Sequence, residues 1–354
     1  MARLAQLKLS MTVAVLLVSI IFAFFLGAIV FILQLYLQLF SWYYSIILVV
    51  AATAIFILFQ FLIGPAIVKF STGLRYLQPG ENPWLESTVK DLADKSGIPV
   101  PKLAIVPDKT PNAFVFGRSS SSATLAVHEG LLNELNKDEV RGVIGHELGH
   151  VRHKDFLVMT ALSALPLLAY LIARGTFEAA WISGRTSRRK EGAGIGAALF
   201  VIAALSFVVY IVSLLCVMRL SRLREHYADA YSAYVTESPR QLESALTKIT
   251  FGLSLSPKPP HGARTLYIGD PALAKQEVQG IIDRKAEYDL DRDGVLDERE
   301  LELAMEKEAK SAWRKINMWF TTHPATFQRI LLLREIEKEM ESGTYGDKRI
   351  YTHI

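Results

Sequence analysis

The chain has 354 residues, 51% of them hydrophobic and 21% charged, with a formal net charge of +4. That apolar content excludes disorder as the overall state. The single cysteine, Cys216, excludes an internal disulfide framework, and so small a charge excess gives no ground for a nucleic-acid partner. A mean hydropathy of +0.26 is high for a soluble protein, and the apolar residues are concentrated in a few runs.

Leu9–Val68 carries no charge over 60 residues. A bilayer span takes about 20 apolar residues, so this run holds two spans, near Met11–Leu33 and Tyr43–Val68. The polar turn between them contains Gln34, Gln38, Ser41 and Trp42. The run is too long for a cleaved signal peptide. Two further uncharged runs, Phe156–Ala173 with 18 residues and Gly192–Met218 with 27, give a working count of four spans. A buried helical hairpin is the other reading of this second pair. Arg3 and Lys8 precede the first span, while Arg152, Lys154, Arg219, Arg222 and Arg224 flank the second pair. All suit the cytoplasmic side. The loop Arg174–Glu191, with five basic residues, disagrees if both of these helices cross.

Between the pairs, Leu103–Val106, Ala113–Phe116 and Ala123–Val127 read as short strands separated by turn residues. A helix near Glu129–Leu135 follows, then a second from Lys137 to about Lys154. The second is opened by Asn136 with Glu139 three residues on, a capping-box pattern. The region after Arg219 reads mostly helical, interrupted by the proline-rich Ser256–Gly262. The expected division is 1–68 and 155–218 for the membrane helices, and 69–154 and 219–354 for two parts of one polar domain. The expected fold class is mainly α with a small β-sheet, in an integral membrane protein.

The Lys137 helix contains His146-Glu147-Leu148-Gly149-His150. Residues four apart share a helix face, so both imidazoles can reach one Zn²⁺, with Glu147 beside them as a general base for a water activated by the metal. A third protein ligand must come from elsewhere. Glu225 and Asp229, four apart on a helix beginning near Ser221, offer a ligand and a carboxylate for the far nitrogen of a ligand histidine. An ordinary charged helix at a membrane surface is the other reading of this segment. The hairpin between the two helices favours the ligand reading, because it returns the chain to the first helix. His153 and His226 read as interfacial polar residues rather than ligands.

Taken together these residues resemble the HtpX-type membrane zinc endopeptidases and, more distantly, the CAAX prenyl proteases. The likeness rests on the paired N-terminal spans, Pro-Asn-Ala-Phe at 111–114 and His-Glu-Leu-Gly-His at 146–150. The apolar hairpin, Arg-Glu-x-x-x-Asp at 224–229, and Thr-His-Pro with a later Arg at 322–329 complete it. The resemblance implies a gluzincin-type zinc metallopeptidase domain with one catalytic Zn²⁺ on His146, His150 and Glu225. It implies Glu147 as base, Asp229 behind the ligands, and His323 and Arg329 as groups that stabilise the oxyanion. Asn112, Ala113 and Phe114 fall where the family pairs an extended substrate with an exposed strand edge. The implied protein is multi-pass in the cell membrane, with its catalytic domain in the cytoplasm, and it degrades misfolded or damaged membrane proteins. Prenyl-protein processing and a non-catalytic calcium-binding membrane protein are the alternatives.

Asp289-Leu-Asp291-Arg-Asp293-Gly294-Val295-Leu-Asp297-Glu-Arg-Glu300 matches the twelve-residue EF-hand loop. Asp289, Asp291, Asp293, Asp297 and Glu300 supply carboxylates and Val295 a backbone carbonyl for Ca²⁺. Helices over Gln276–Tyr288 and Asp297–Lys310 are expected to flank it, as an insertion of about 276–310 relative to the resembled family. Only one such loop is present, and Arg284 and Lys285 stand where apolar residues belong. Mg²⁺ or a weak structural site is therefore the other reading.

Overall fold

A computed structural model describes residues 2–37, 42–186, 190–255, 268–269, 271–290, 321, 323–345, 350–351 and 353–354. The chain is mostly helical and forms two units. One comprises Met1–Leu7, Pro65–Leu157 and Ser221–Ile354; the other comprises Lys8–Gly64 and Val158–Leu220.

The second unit is built from long apolar helices: α1 (Ala2–Leu37), α2 (Trp42–Thr72), α6 (Asp155–Thr186) and α7 (Lys190–Thr236). Within it α6 and α7 meet through Tyr170 and Tyr210, ring centroids 5.5 Å apart, and through Phe177 and Phe200. Its outer surface is apolar: Phe24 is 79%, Leu48 61% and Ile55 66% exposed. Exposed apolar residues in such number are unusual for a water-soluble monomer. Among the described residues three helices are long and apolar enough to cross a membrane, Met11–Ile32, Ile46–Thr72 and Ile195–Thr236. The expected span 156–173 is helical, forming the first part of α6. The last 42-residue stretch is about 63 Å long at 1.5 Å per residue, roughly twice the hydrocarbon thickness. Helix α7 therefore runs through the apolar segment and onward without a break. The sequence reading starts a new helix near Ser221, but no proline or glycine between Gly196 and Thr236 stops the first one.

The first unit holds a four-stranded sheet in the order β1-β2-β4-β3, from β1 (Arg75–Tyr76), β2 (Lys102–Val106), β3 (Ala113–Phe116) and β4 (Thr124–His128). β2 and β4 are parallel; β3 pairs antiparallel to β4, Ala113 opposite Val127. Alternate residues point to opposite faces, and both faces are covered. Ile105, Ala113, Val115, Leu125 and Val127 join the main core with α3 (Pro83–Ser96) and α5 (Lys137–His153). Ala104, Val106, Phe114, Phe116 and Ala126 pack with Leu74 on the other side. Double burial is why β3 and β4 read as nearly unbroken apolar runs. β1 and α3 go beyond the sequence reading. Helix α3 carries its own signals, an Asn82 cap bonding Leu85 N at 3.1 Å, Pro83 in the first turn and left-handed Gly97 at the end.

Helix α4 (Glu129–Glu134) precedes α5. The capping box is present as expected: Asn136 Oδ1 accepts from Glu139 N at 2.9 Å and Glu139 Oε2 from Asn136 N at 2.8 Å. Glu139 also accepts from Ser244 Oγ and Lys248 Nζ of α8 (Pro239–Leu255), tying α8 to the start of α5. Beyond lie α9 (Pro271–Asp283), α10 (Lys285–Tyr288) and α11 (Thr326–Glu341). The helix expected over Gln276–Tyr288 is thus divided at Arg284.

Helix α5 is flanked closely where it is glycine-bearing. A Cβ on Gly142 would lie 2.6 Å from Leu242 N and 2.8 Å from Gln241 C. On Gly149 it would lie 3.2 Å from Ala228 Cα of α7. The Gly142 clash is with backbone, which does not yield cheaply, so Gly142→Ala should destabilise by about 1–3 kcal/mol. Gly27→Ala, with nothing within 4 Å, should be neutral or stabilising by at most about 1 kcal/mol. Thermal unfolding of the two purified variants in detergent checks this ordering.

Candidate metal centre

One turn of α5 places His146 and His150 on the same face, their rings 4.8 Å apart at 87° and their Nε2 atoms 3.2 Å apart. Helix α7 brings Glu225 against both. Its Oε2 is 3.4 Å from His146 Nε2 and its Oε1 is 3.4 Å from His150 Nε2. Ligand atoms of the three residues lie within 4.8 Å of one another, and all three residues are buried. Glu147 is 3% exposed beside them.

The outward nitrogens are held by carboxylates. His146 Nδ1 is 2.9 Å from Asp229 Oδ1, the partner expected from the sequence. Asp229 is clasped by Arg329, Nε to Oδ2 at 2.8 Å and Nη2 to Oδ1 at 2.6 Å. His150 Nδ1 is 2.7 Å from Asp155 Oδ2, and Asp155 Oδ1 pairs with Arg224 Nε at 3.0 Å. The sequence reading missed Asp155, and used Arg224 only as a basic residue flanking the second span pair and as part of the Arg-Glu-x-x-x-Asp motif. Helical spacing could not find Asp155, because α5 ends at His153 and Lys154 turns the chain with φ 60°. The available signal was a carboxylate just past a helix end.

These contacts test the site for a cation. With each Nδ1 donating to a carboxylate, both Nε2 lone pairs point at one spot together with the Glu225 carboxylate. Glu225 Oε2 is buried and accepts no hydrogen bond. Three electron-rich groups this close repel unless a cation lies among them. Two imidazoles and one carboxylate form a donor set that suits Zn²⁺. Burial opposes charge on His150, but Glu225 and the Asp155 bond outweigh it and push it up to about 10. His146 is also raised, against burial, by the Asp229 and Glu225 carboxylates beside it. Burial raises Glu147, with the neighbouring imidazoles opposing.

His323, 2% exposed, lies within electrostatic reach of Glu225. Its segment is tied to α7, since Arg222 Nη1 donates to Thr321 O at 2.6 Å and Thr321 Oγ1 to His323 O at 2.9 Å. Arg329 is 1% exposed, its guanidinium engaged by Asp229 and by the carbonyl of Ile268. Asn112, Ala113 and Phe114 are buried at the outer strand of the sheet, and Asn112 Oδ1 accepts from Ile268 N at 2.9 Å. His153 is not among the converging ligands. Its Nε2 bonds the Tyr351 hydroxyl at 2.8 Å, and its ring packs edge-on against Tyr231. Of the calcium loop only Asp289 and Leu290 are described; Asp291, Asp293, Val295, Asp297 and Glu300 lie outside the described residues, as does the exit helix.

Peptidase family M48 matches residues 79–337 of the chain. Among curated relatives, a "Protease HtpX homolog" of Methanothermobacter thermautotrophicus is 39% identical over 198 residues, 56% of this chain and 71% of that one. One from Aeropyrum pernix is 40% identical over 193 residues, 54% of this chain and 59% of that one. One from Thermococcus kodakarensis is 35% identical over 270 residues, 75% and 78%. The crystal structure of S. mikatae Ste24p aligns at 18% identity with a TM-score of 0.46, covering 94% of this chain and 66% of that one.

Burial lowers His153 to about 4, below the ordinary value of about 6.5 expected in the unfolded chain. As pH falls, the unfolded chain takes up this proton first. The stability present above pH 6.5 is therefore lost as pH falls toward 4. The thermal midpoint should drop more between pH 7 and 5 in the wild type than in His153→Gln. Equal drops would remove His153 as a cause.

Proposed function

The chain belongs to peptidase family M48 as an HtpX-type metalloprotease, and from that premise we propose that it is a membrane-bound zinc endopeptidase that cuts misfolded or damaged membrane proteins. The observation that carries this reading is the convergence of His146, His150 and Glu225 on one point. A zinc ion held there supplies Lewis acidity and makes water acidic enough to lose a proton near neutral pH. With zinc bound, Glu147 would accept a proton from the attacking water, and its raised affinity for protons suits that role. His323 faces the charge that develops on the carbonyl oxygen. Arg329 contributes its charge from behind Asp229, which it holds in place. No acyl-enzyme forms in this scheme, because water is the nucleophile.

An extended substrate adds along Asn112–Phe114, a mode that makes little demand on sequence and suits unfolded chains. We read α6 as the fourth span. The basic residues at the ends of the spans support a cytoplasmic site. The loop Asp289–Glu300 is read as a Ca²⁺ site that orders the helices between α7, which carries Glu225, and His323, and so tunes activity.

Purified protein in detergent should cleave casein with zinc present. Glu147→Gln should lose about 10²–10⁴-fold in rate while keeping its metal. Unchanged cleavage in the variant would contradict the mechanism. Removing Ca²⁺ at constant Zn²⁺ should lower the rate, and an unchanged rate would contradict the role given to the loop.

A further inference from the structure

We propose that Asp155, anchored by Arg224, is a positioning residue that fixes His150 as a metal ligand. This rests on the metal reading above and extends it to residues outside the ligand set. The Asp155 carboxylate is fully buried, with Oδ2 2.7 Å from His150 Nδ1 and Oδ1 3.0 Å from Arg224 Nε, the latter an ion pair without hydrogen-bond alignment. A buried carboxylate with no countercharge is costly, and Arg224, 6% exposed, supplies one. Asp155 in turn accepts the His150 Nδ1 proton, which leaves the Nε2 lone pair for the metal. A carboxylate and an arginine also stand behind His146, where Arg329 hydrogen-bonds both oxygens of Asp229.

The backbone is shaped for this contact. Lys154 takes a left-handed conformation, φ 60° and ψ 33°, which costs a non-glycine residue about 1 kcal/mol or more. Its N–H bonds back to the carbonyls of His150 and Val151. That turn places Asp155 against the ring five residues before it. Arg224 and Glu225 are adjacent on α7, and Asp229 follows one turn later. One short stretch of α7 therefore supplies the metal ligand, the carboxylate behind His146, and the anchor of the carboxylate behind His150.

The full chain in detergent is stripped of metal and titrated with Zn²⁺ and Co²⁺ against a chromogenic chelator, alongside Asp155→Asn. Metal affinity should fall about 10–100-fold, with KM for casein unchanged at saturating zinc. Affinity within twofold of wild type would overturn the proposal. If Asp155→Asn does not fold, Asp155→Glu, which keeps the charge but displaces the acceptor, should bind metal about tenfold more weakly. Wild-type affinity there, or failure of both variants to fold while metal-free wild type is stable, would mark Asp155 as a packing residue and overturn the proposal. A wild type that binds no metal would instead sink the metal reading itself.

Discussion

Everything at the centre depends on how closely α7 approaches α5. Glu225 carries its carboxylate to within 3.4 Å of two imidazoles on another helix, and a glutamate side chain spans that gap only if the helices nearly touch. Gly145 and Gly149 make the contact possible. A Cβ at Gly145 would sit 2.9 Å from Ser232 Oγ, and at Gly149 3.2 Å from Ala228 Cα. Ser232 Oγ completes the seam by donating to the Gly142 carbonyl at 2.6 Å. The glycines within and before the His-Glu-Leu-Gly-His segment thus act through packing, while its histidines act through chemistry. The same helix face must serve both purposes, which leaves little latitude in the residues between.

Charge is the second constraint. Four carboxylates, Glu147, Asp155, Glu225 and Asp229, are buried together with two guanidiniums, Arg224 and Arg329. With neutral imidazoles, Asp155, Glu225 and Asp229 outnumber the two guanidiniums even if Glu147, whose proton burial helps to retain, is left out, and a cation among the ligands offsets the excess. The arginines do not coordinate; they keep the supporting carboxylates ionised, so that these hold the ligand rings in one tautomer. Removing one member of such a buried pair costs about 3–5 kcal/mol because its partner is left uncompensated. Both arginines therefore belong to the fold, whatever part the site plays in the reaction.

The parts of this arrangement written in local spacing were legible in the sequence. Helical spacing puts His146 and His150 on one face, and Glu225 and Asp229 on another; that the two pairs serve one metal was implied by the family resemblance, because spacing left an ordinary charged helix open for the second. The capping box at Asn136 marks the start of α5 to the residue. The β3 and β4 segments were visible because both of their faces are apolar. What escaped depends on contacts that spacing does not encode. Asp155 lies beyond a left-handed turn, and Arg224 faces it from 69 residues later in the chain. The continuity of α7 past Ser221 follows from the lack of a breaker, a weaker sign than a cap. α3 was overlooked although Asn82, Pro83 and Gly97 bracket it. The close approach of Ile268 to Asn112 and Arg329 had no sequence signature, since it joins a loop backbone to two distant side chains.

Metal stoichiometry bears most directly on the central claim, that α5 and α7 build one zinc site between them. Elemental analysis of the purified full chain should find one zinc per chain in the wild type, and little or none in Glu225→Ala at the same free zinc. Full zinc content in Glu225→Ala, or a zinc-free wild type, would contradict the account.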